Sequence, residues 1–202
     1  YQQTALEEIN RQFTDRKTVL LHGITSSGKT ELYIHLIEKT LAEKKQVLYL
    51  VPEIALTTQL TSRLKRIFGN KLAVYHSRFS DAERVEIWNS LLHDKGCEVV
   101  IGARSALFVP FRKLGLVIVD EEHETSYKQF DPAPRYNARN AAIVLASLHG
   151  ANTLLGSATP AIESYFNAKT GKYGYVALNQ RYREMELPDI LIADTKEAYR
   201  KK

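Results

Sequence analysis

The chain has 202 residues, of which 44% are hydrophobic and 25% are charged, a mixture typical of a folded globular domain. Its single cysteine, Cys97, excludes an internal disulfide and any cysteine-rich zinc or iron–sulfur site in this sequence. No apolar run approaches the ~20 residues that a membrane-spanning helix needs, and the net charge of +5 permits a polyanionic partner without requiring one.

Five near-continuous aliphatic runs predict buried strands, because strands of a parallel sheet are covered on both faces. These runs are Thr18–Leu21, Val47–Val51, Val99–Ile101, Leu116–Val119 and Thr153–Leu155. Longer amphipathic stretches separate them and predict helices. We therefore expect an α/β fold with a doubly wound, mostly parallel sheet and helices on both of its faces.

The first strand is followed by Gly23-Ile-Thr-Ser-Ser-Gly-Lys-Thr30, which matches the phosphate-loop pattern G-x-x-x-x-G-K-S/T without a mismatch. Glycines in a strand-to-helix turn let backbone N–H groups surround a phosphate, and the helix N-terminus adds partial positive charge. We expect Lys29 to reach the β- and γ-phosphates of a nucleotide, and the Thr30 hydroxyl to ligate Mg²⁺. The predicted nucleotide-binding residues of the loop are Gly23, Thr25, Ser26, Ser27, Gly28, Lys29 and Thr30.

Two helices are predicted from apolar periodicity. The helix over 29–43 is expected to bury one face, made of Tyr33, Leu36, Ile37 and Leu41. Ser80 and Glu83 have the spacing of a capping box. The helix that they begin is expected to turn inward Val85, Trp88 and Leu92.

Acidic residues follow the fourth apolar run, in the segment Leu116-Val-Ile-Val-Asp-Glu-Glu-His123. An acid at the end of a buried strand needs a reason to be there. We expect Asp120 to hold Mg²⁺ and Glu121 to orient and deprotonate an attacking water. The alternative is an acidic helix N-terminus that stabilises the helix dipole. Together with the phosphate loop, the segment predicts nucleoside triphosphate hydrolysis, with Lys29, Asp120 and Glu121 as the catalytic residues.

The stretch Thr125–Asn137 contains two prolines and predicts a long loop, which in a compact domain is usually functional. In and just after it, aromatic side chains alternate with cationic ones. Exposed aromatics can stack on nucleic-acid bases and cations can follow phosphates. These residues are Tyr127, Lys128, Phe130, Arg135, Tyr136 and Arg139. The alternative is that the aromatic rings pack against the domain and fix the loop in place.

Several motifs in order resemble those of superfamily 2 helicases. Asp120-Glu121-Glu122-His123 resembles the second motif. Three further segments resemble motifs Ia, Ib and III, and these are Val51-Pro-Glu-Ile-Ala-Leu-Thr-Thr-Gln59, Ile101-Gly-Ala-Arg-Ser-Ala-Leu-Phe108 and Ser157-Ala-Thr-Pro160. Gln2 resembles the glutamine that reads adenine. Together with Ser126-Tyr-Lys-Gln129, these motifs resemble the PriA family of replication-restart helicases.

This resemblance implies a RecA-like P-loop lobe that uses ATP and Mg²⁺ for 3′→5′ DNA unwinding at branched DNA in replication restart. It implies that His123, Ser157 and Thr159 couple the nucleotide site to DNA. The DNA backbone would be contacted by Thr57, Gln59, Arg104 and Ser105, and the loop from Tyr127 to Tyr136 would sense single-stranded DNA. Pro134 stands where the family pattern has tryptophan, which shifts base stacking to Tyr127, Phe130 and Tyr136.

The resemblance further implies single-stranded and forked DNA, primosome proteins and single-strand-binding proteins as partners, with no membrane partner, in the bacterial cytoplasm at the nucleoid. Zinc is expected only in a longer parent protein. The chain begins at Tyr1 and its only methionine is Met185, which indicates an excised piece. We expect residues 1–178 to form the first helicase lobe, residues 179–202 to lead toward a second lobe, and the isolated lobe to be monomeric and weakly active or inactive.

Two alternatives stay open. A RecG-like fork-remodelling translocase shares the aliphatic strand before the acids, although Glu122 and the 126–129 segment favour the PriA pattern. A non-catalytic nucleotide- or nucleic-acid-binding module would keep the fold without turnover. The presence of Lys29, Thr30, Asp120 and Glu121 argues against that module.

Overall fold

A computed structural model describes residues 1–55, 57–75, 80–93 and 96–180. In this part of the chain, seven strands form one sheet: β1 Thr18–Gly23, β2 Gln46–Leu50, β3 Leu72–Tyr75, β4 Val99–Gly102, β5 Leu114–Asp120, β6 Asn152–Ser157 and β7 Gly174–Leu178. Six α-helices accompany them: α1 Gln2–Asp15, α2 Lys29–Ala42, α3 Thr58–Phe68, α4 Asp81–Leu92, α5 Ala138–Leu148 and α6 Ile162–Lys169. None of the described helices combines the length and apolar character needed to cross a membrane.

The strand order is β3-β4-β2-β5-β6-β1-β7, and every neighbouring pair is parallel. The predicted parallel sheet is therefore confirmed. β6 lies between β1, which leads into the phosphate loop, and β5, which ends at Asp120. All strands run the same way, so the loops that follow β1, β5 and β6 meet at one edge of the sheet, where ligand sites of open α/β sheets form.

Each face of the sheet carries its own hydrophobic core. Val19 and Leu21 of β1 pack in the core that α1, α2 and α3 cover, whereas Leu20 packs in the core that receives residues of α4, α5 and α6. Successive strand residues point to opposite faces, which is why the central strands read as continuous aliphatic runs. Helices on both faces make the sheet doubly wound, as predicted.

The two strands that the sequence did not predict, β3 and β7, are the edge strands of the sheet. Three of the four residues of β3 are partly exposed, and β7 alternates between buried and more exposed residues. Both are apolar segments, Leu72-Ala-Val-Tyr75 and Tyr175-Val-Ala-Leu178, but each contains only two branched aliphatic residues, separated by alanine. The prediction from near-continuous aliphatic runs therefore missed both strands.

The predicted face of α2 is confirmed: Tyr33, Leu36 and Ile37 are buried, and Leu41 is partly buried against the same core. For α4 the capping box of Ser80 and Glu83 is present, but the predicted buried face is wrong. Val85, Trp88 and Leu92 are exposed, with 43% of Trp88 accessible to solvent. Leu91 is buried instead, with Ile87 partly buried beside it. The helix carries apolar residues on two adjacent faces, and periodicity alone does not choose between them.

The expected lobe boundary at residue 178 coincides with the last residue of β7. Of the expected connector, residues 181–202 lie outside the described residues.

Candidate functional site

The phosphate loop makes a tight reversal between β1 and α2. Ser26 and Gly28 both adopt left-handed backbone conformations, with φ of 62° and 85°. Glycine adopts this conformation without strain, whereas serine does so only where the surrounding turn requires it. The Lys29 ammonium folds back over the loop and donates to the Gly23 carbonyl at 2.9 Å. The Ser27 hydroxyl is buried in this cradle and has no hydrogen-bond partner in the structure.

Gln2 on α1 closes the side of the phosphate loop. Its Nε2 donates to the Ser27 carbonyl at 3.2 Å, and a side chain at position 28 would collide with it. The loop, Gln2 and the acids at the end of β5 line one cleft of about 770 Å³. That volume lies in the range of small-molecule sites. Glu31, His35 and Arg63 line the same cleft, and Glu31 and Arg63 form an ion pair there.

Three tyrosine hydroxyls hold Asp120 at the end of β5. Tyr33 donates to Oδ1 at 2.9 Å, Tyr49 donates to Oδ2 at 3.3 Å, and Tyr127 donates to the backbone carbonyl at 2.6 Å. Burial raises the pKa of Asp120, and the hydrogen bond from Tyr33 opposes this rise. Burial also raises the pKa of all three tyrosines well above the usual value, so they remain protonated donors. Asp120 therefore has a fixed position at the inner end of the cleft.

A glycine on the neighbouring strand makes the Tyr33 contact possible. Gly156 of β6 pairs in register with Asp120, and a Cβ atom at this position would overlap the Tyr33 hydroxyl. The hydroxyl occupies the space that a side chain on β6 would fill. Tyr33 and Tyr49 also pack edge to face, with ring centroids 5.5 Å apart. These residues were not among the predicted site residues, although a tyrosine inside an otherwise aliphatic run is the signal that Tyr49 offered.

Glu121 turns out of the strand by adopting a left-handed conformation, with φ of 44°. This turn separates its carboxylate from that of Asp120. Glu121 Oε1 lies 3.6 Å from the Lys29 ammonium, and its Oε2 lies 3.7 Å from Nδ1 of His123. The structure thus brings the phosphate-loop lysine and both predicted acids together in one cleft.

The three predicted coupling residues form a continuous chain beside Glu121. His123 Nδ1 lies 2.8 Å from the Ser157 hydroxyl, and its Nε2 lies 3.3 Å from the Thr159 hydroxyl. The Thr159 backbone N–H donates to the Ser157 hydroxyl at 3.0 Å. The chain joins the turn after β5 to the turn after β6.

The raised pKa of Asp120 makes stability depend on pH in a definite direction. The pKa of Asp120 is higher in the folded state than in the unfolded state. Protonation of Asp120 therefore adds to the free energy of unfolding. This gain is fully present at pH below the unfolded-state pKa and is lost as pH rises through the folded-state pKa. At neutral pH the buried charge is a cost. Asp120→Asn should therefore raise the melting temperature at pH 7, by roughly 2–4 °C for each ~1 kcal/mol recovered.

Thermal unfolding without nucleotide or Mg²⁺, measured from pH 4 to pH 8, tests this expectation. The difference between Asp120→Asn and the parent should shrink toward pH 4. Asp131→Asn, which changes an exposed aspartate in the long loop, is the matched control and should show no difference. If the Asp120→Asn variant is less stable than the parent at pH 7, the buried charge of Asp120 does not destabilise the fold.

The long loop folds back on itself and packs on the turn that contains Arg104. Lys128 and Asn137 form an antiparallel bridge, and Lys128 Nζ donates to the Arg135 carbonyl at 3.0 Å. Arg104 donates to the Ser126 carbonyl at 3.1 Å, and the Tyr136 hydroxyl donates to the Arg104 carbonyl at 3.4 Å. The two segments thus form one surface.

On this surface two phenylalanines are exposed, Phe130 at 69% and Phe108 at 56%, and Arg135 is also exposed. Tyr136 is partly buried and packs edge to face on Phe108, with centroids 5.1 Å apart.

Two members of the predicted alternating set face the interior of the domain, Tyr127 fully and Arg139 with 11% of its side chain exposed. Tyr127, expected to offer its ring to bases, is only 1% exposed, because a 3-10 turn over Thr125–Tyr127 folds it beneath Asp120. Arg139, expected to follow phosphates, pairs at 3.0 Å with Glu122 instead. These two side chains pack against the domain, as in the alternative given above, and do not form part of the exposed loop surface.

The remaining predicted DNA-contact residues lie at the same edge of the sheet. Thr57 is the N-cap of α3, where its hydroxyl accepts from the Leu60 N–H at 3.2 Å. Gln59 is exposed on the first turn of α3, and Ser105 is partly buried in the 3-10 turn Arg104–Phe108. These residues follow β2 and β4, beside the cleft but not lining it.

Comparison with known proteins agrees with this geometry. The model of the DEAD/DEAH box helicase family matches residues 1–167. The chain belongs to the DEAD/DEAH box helicase family. The matched residues of this helicase domain include the phosphate loop, the acids after β5 and the turn after β6.

Among curated proteins, the domain is similar to replication restart protein PriA from several bacteria. It is 45% identical to that of Bacillus subtilis (strain 168) over 98% of this chain and 25% of the relative. It is 49% identical to that of Rickettsia felis over 90% of this chain and 28% of the relative. The chain thus spans about a quarter of the length of the curated relatives it matches.

Solved structures share the RecA-like fold of this helicase domain. RecG bound to a three-way DNA junction superposes with a TM-score of 0.65 at 23% identity, over 92% of this chain and 24% of that chain. The DUF1998 helicase MrfA bound to DNA superposes with a TM-score of 0.63 at 21% identity, over 89% of this chain and 25% of that chain. At these identities the likeness describes the fold.

Proposed function

We propose that this chain is the ATP-binding motor lobe of an ATP-dependent 3′→5′ DNA helicase that acts at branched DNA in replication restart. The observation that carries the proposal is the approach of Lys29 and Glu121 to 3.6 Å across a cleft of nucleotide size. A phosphate-binding lysine and a carboxylate that can orient water are two of the groups that hydrolysis of a terminal phosphate uses, beside Mg²⁺. Similarity to replication restart proteins over nearly the whole chain supports the cellular role.

The residues at the cleft fit ATP and Mg²⁺. The buried Ser27 hydroxyl without a partner lies in a turn where a Cβ atom at position 23 or 28 would collide with neighbouring side chains, so both positions need glycine for the cradle to form. Gly23, Thr25, Ser26, Ser27 and Gly28 would surround the phosphates, and Gln2 would contact the base. Mg²⁺, held by Thr30 and Asp120, would neutralise phosphate charge when bound.

Each side chain of the cleft would have a separate role in ATP hydrolysis. Lys29 would exchange its Gly23 contact for phosphate oxygens, because a charged acceptor makes a stronger hydrogen bond than a carbonyl. Asp120 is fixed by tyrosines at the inner end of the cleft. Glu121 has no such fixation, and its carboxylate would orient water and take its proton. The chain of His123, Ser157 and Thr159 would report the state of Glu121 to the turn after β6.

DNA would lie along the carboxyl edge of the sheet. Phe130 and Tyr136 would stack on bases, and Lys128, Arg135, Arg104, Ser105, Thr57 and Gln59 would contact the backbone. With its ring buried, Tyr127 would act through its hydrogen bond to Asp120 rather than by stacking. Single-stranded and forked DNA, primosome proteins and single-strand-binding proteins are the proposed partners, and the bacterial nucleoid is the proposed location.

The test is ATP hydrolysis by the full-length protein with and without single-stranded DNA. We expect DNA to raise kcat by roughly tenfold or more, and Lys29→Ala to abolish turnover. The separate lobe should hydrolyse ATP weakly or not at all, because a second lobe normally supplies an arginine to the transition state. A full-length protein that binds ATP without hydrolysing it would identify the non-catalytic module instead.

Phe130→Ala should weaken stimulation by DNA while leaving hydrolysis without DNA unchanged, since one stacked base contributes ~1–3 kcal/mol. The measurement is the concentration of single-stranded DNA that gives half-maximal ATPase, which should rise roughly five- to 150-fold. Phe166→Ala is the matched control, because Phe166 is 65% exposed but lies on α6 outside the loop. Equal DNA dependence in both variants would remove Phe130 from the DNA surface.

A further inference from the structure

Glu122 is the one acid of the Asp120–Glu122 run that does not line the cleft. It is 1% exposed, and its backbone N–H donates to the Gly156 carbonyl at 3.0 Å. A carboxylate this deeply buried is costly unless a cation and hydrogen-bond donors satisfy it. None of the roles assigned above uses this side chain.

Both oxygens of the Glu122 carboxylate are satisfied, and by groups from two different helices. Oε2 accepts from Arg139 at 3.0 Å and from the Ser164 hydroxyl at 2.8 Å. Oε1 accepts from the Ala161 backbone N–H at 2.7 Å. The Arg139 side chain is itself only 11% exposed, so both charges of the pair are withdrawn from water.

The partners of Glu122 lie where two functional segments end. Arg139 is the second residue of α5, whose N-cap, Asn137, closes the long loop. Ala161 is the N-cap of α6, and the short segment before it carries Ser157 and Thr159. Glu122 itself is joined by a peptide bond to Glu121. One side chain therefore connects the acid-bearing turn, the end of the loop and the segment after β6.

We propose that Glu122 is a positioning residue that holds Glu121 in register with the start of α5 and with the start of α6. A displacement of the loop would move Arg139, and the buried pair would pass that displacement to the turn that carries Glu121. The proposal rests on the proposed function, because its consequence is the link between DNA and ATP hydrolysis. A purely structural ion pair would stabilise the domain without setting the position of Glu121.

Kinetics of the full-length protein separate these roles. Glu122→Gln removes the charge and keeps the size of the side chain. It should lower kcat in the presence of single-stranded DNA by roughly 100-fold, the cost of a misplacement of about 1 Å, while KM for ATP changes by less than about threefold. Arg139→Gln should have the same signature. The double variant should lose far less than the product of the two single losses, because contacting partners are coupled.

Two further variants make the test specific. Glu98→Gln is the control, because it breaks the Lys71–Glu98 pair at 3.2 Å, remote from the cleft, and it should leave both constants unchanged. If Glu122→Gln does not fold, Ser164→Ala removes one donor to the same carboxylate and should give a smaller fall in kcat without a change in KM.

The outcomes distinguish this inference from the proposed function. A parent protein whose ATPase does not respond to DNA overturns the proposed function and this inference with it. A DNA-responsive parent with unchanged kcat in Glu122→Gln, or in Ser164→Ala where the first does not fold, overturns the inference alone. The inference is also overturned if the falls in kcat of the two single variants multiply in the double variant. It is overturned, too, if the variants lower the melting temperature and leave kcat of the folded protein unchanged.

Discussion

Glutamine at position 121 is expected to reduce kcat for ATP hydrolysis by roughly 10²–10⁴-fold, the usual contribution of a general base. The amide keeps the size of the side chain and cannot accept the proton of an attacking water. ATP affinity should remain within about threefold of the parent, because the phosphate loop and Asp120 are unchanged. The measurement is steady-state hydrolysis by the full-length protein at saturating single-stranded DNA, together with nucleotide binding at equilibrium.

Glu124→Gln is the matched control for that experiment. Glu124 lies in the same turn as Glu121, but its carboxylate approaches Nε2 of His123, at 4.0 Å, rather than Lys29. The control variant should retain kcat within a few-fold of the parent. If Glu121→Gln and Glu124→Gln hydrolyse ATP equally well, Glu121 is not the base.

Gly156→Ala should cost about 1–3 kcal/mol of the free energy of unfolding, the usual range for an overpacked interior. The new methyl group would overlap the Tyr33 hydroxyl and lie 3.0 Å from Cζ of its ring. Because β6 lies between β5 and β1, the backbone has little freedom to move aside. Tyr33 would have to leave Asp120, which would lose its closer tyrosine donor.

A double-mutant cycle identifies the cause of this loss. Tyr33→Phe removes the hydroxyl that the methyl group meets, so Gly156→Ala should be much less costly in that background. Chemical denaturation of the parent, both single variants and the double variant gives the coupling energy. An equal cost of Gly156→Ala with tyrosine or phenylalanine at position 33 would show that the collision described here is not its cause.

The central strands and the meeting of the phosphate loop with Asp120 and Glu121 in one cleft could be predicted from the sequence, because local pattern and chemistry coincide there. β1 and β5 contain continuous aliphatic runs. The turn after β1 carries glycines and a lysine, and the turn after β5 carries two acids, a combination typical of phosphate-binding sites. The edge strands β3 and β7 are also apolar, but each has only two branched aliphatic residues, separated by alanine and accompanied by tyrosine. Their position depends on tertiary context that a single sequence does not display.

Side-chain direction was less predictable than element position. Trp88 lies on a helix with apolar residues on two adjacent faces, and contact with the sheet selects the face of Leu91. Tyr127 and Arg139 lie among aromatic and cationic residues typical of a nucleic-acid surface. In the structure, however, Tyr127 donates a hydrogen bond to the Asp120 carbonyl and Arg139 pairs with Glu122, so both side chains point into the domain. Both contacts join residues that lie seven and 17 positions apart, and no local periodicity encodes such a pairing.

The backbone of Glu121 carries a consequence for protein engineering. A residue other than glycine at φ of 44° is strained, and a glycine there would relieve the strain. Screening this domain for heat resistance would therefore favour Glu121→Gly, a variant that lacks both the strain and the proposed base. Under the role proposed for Glu121, thermostability and turnover select opposite residues at this position, so a library ranked by melting temperature alone would discard the proposed base.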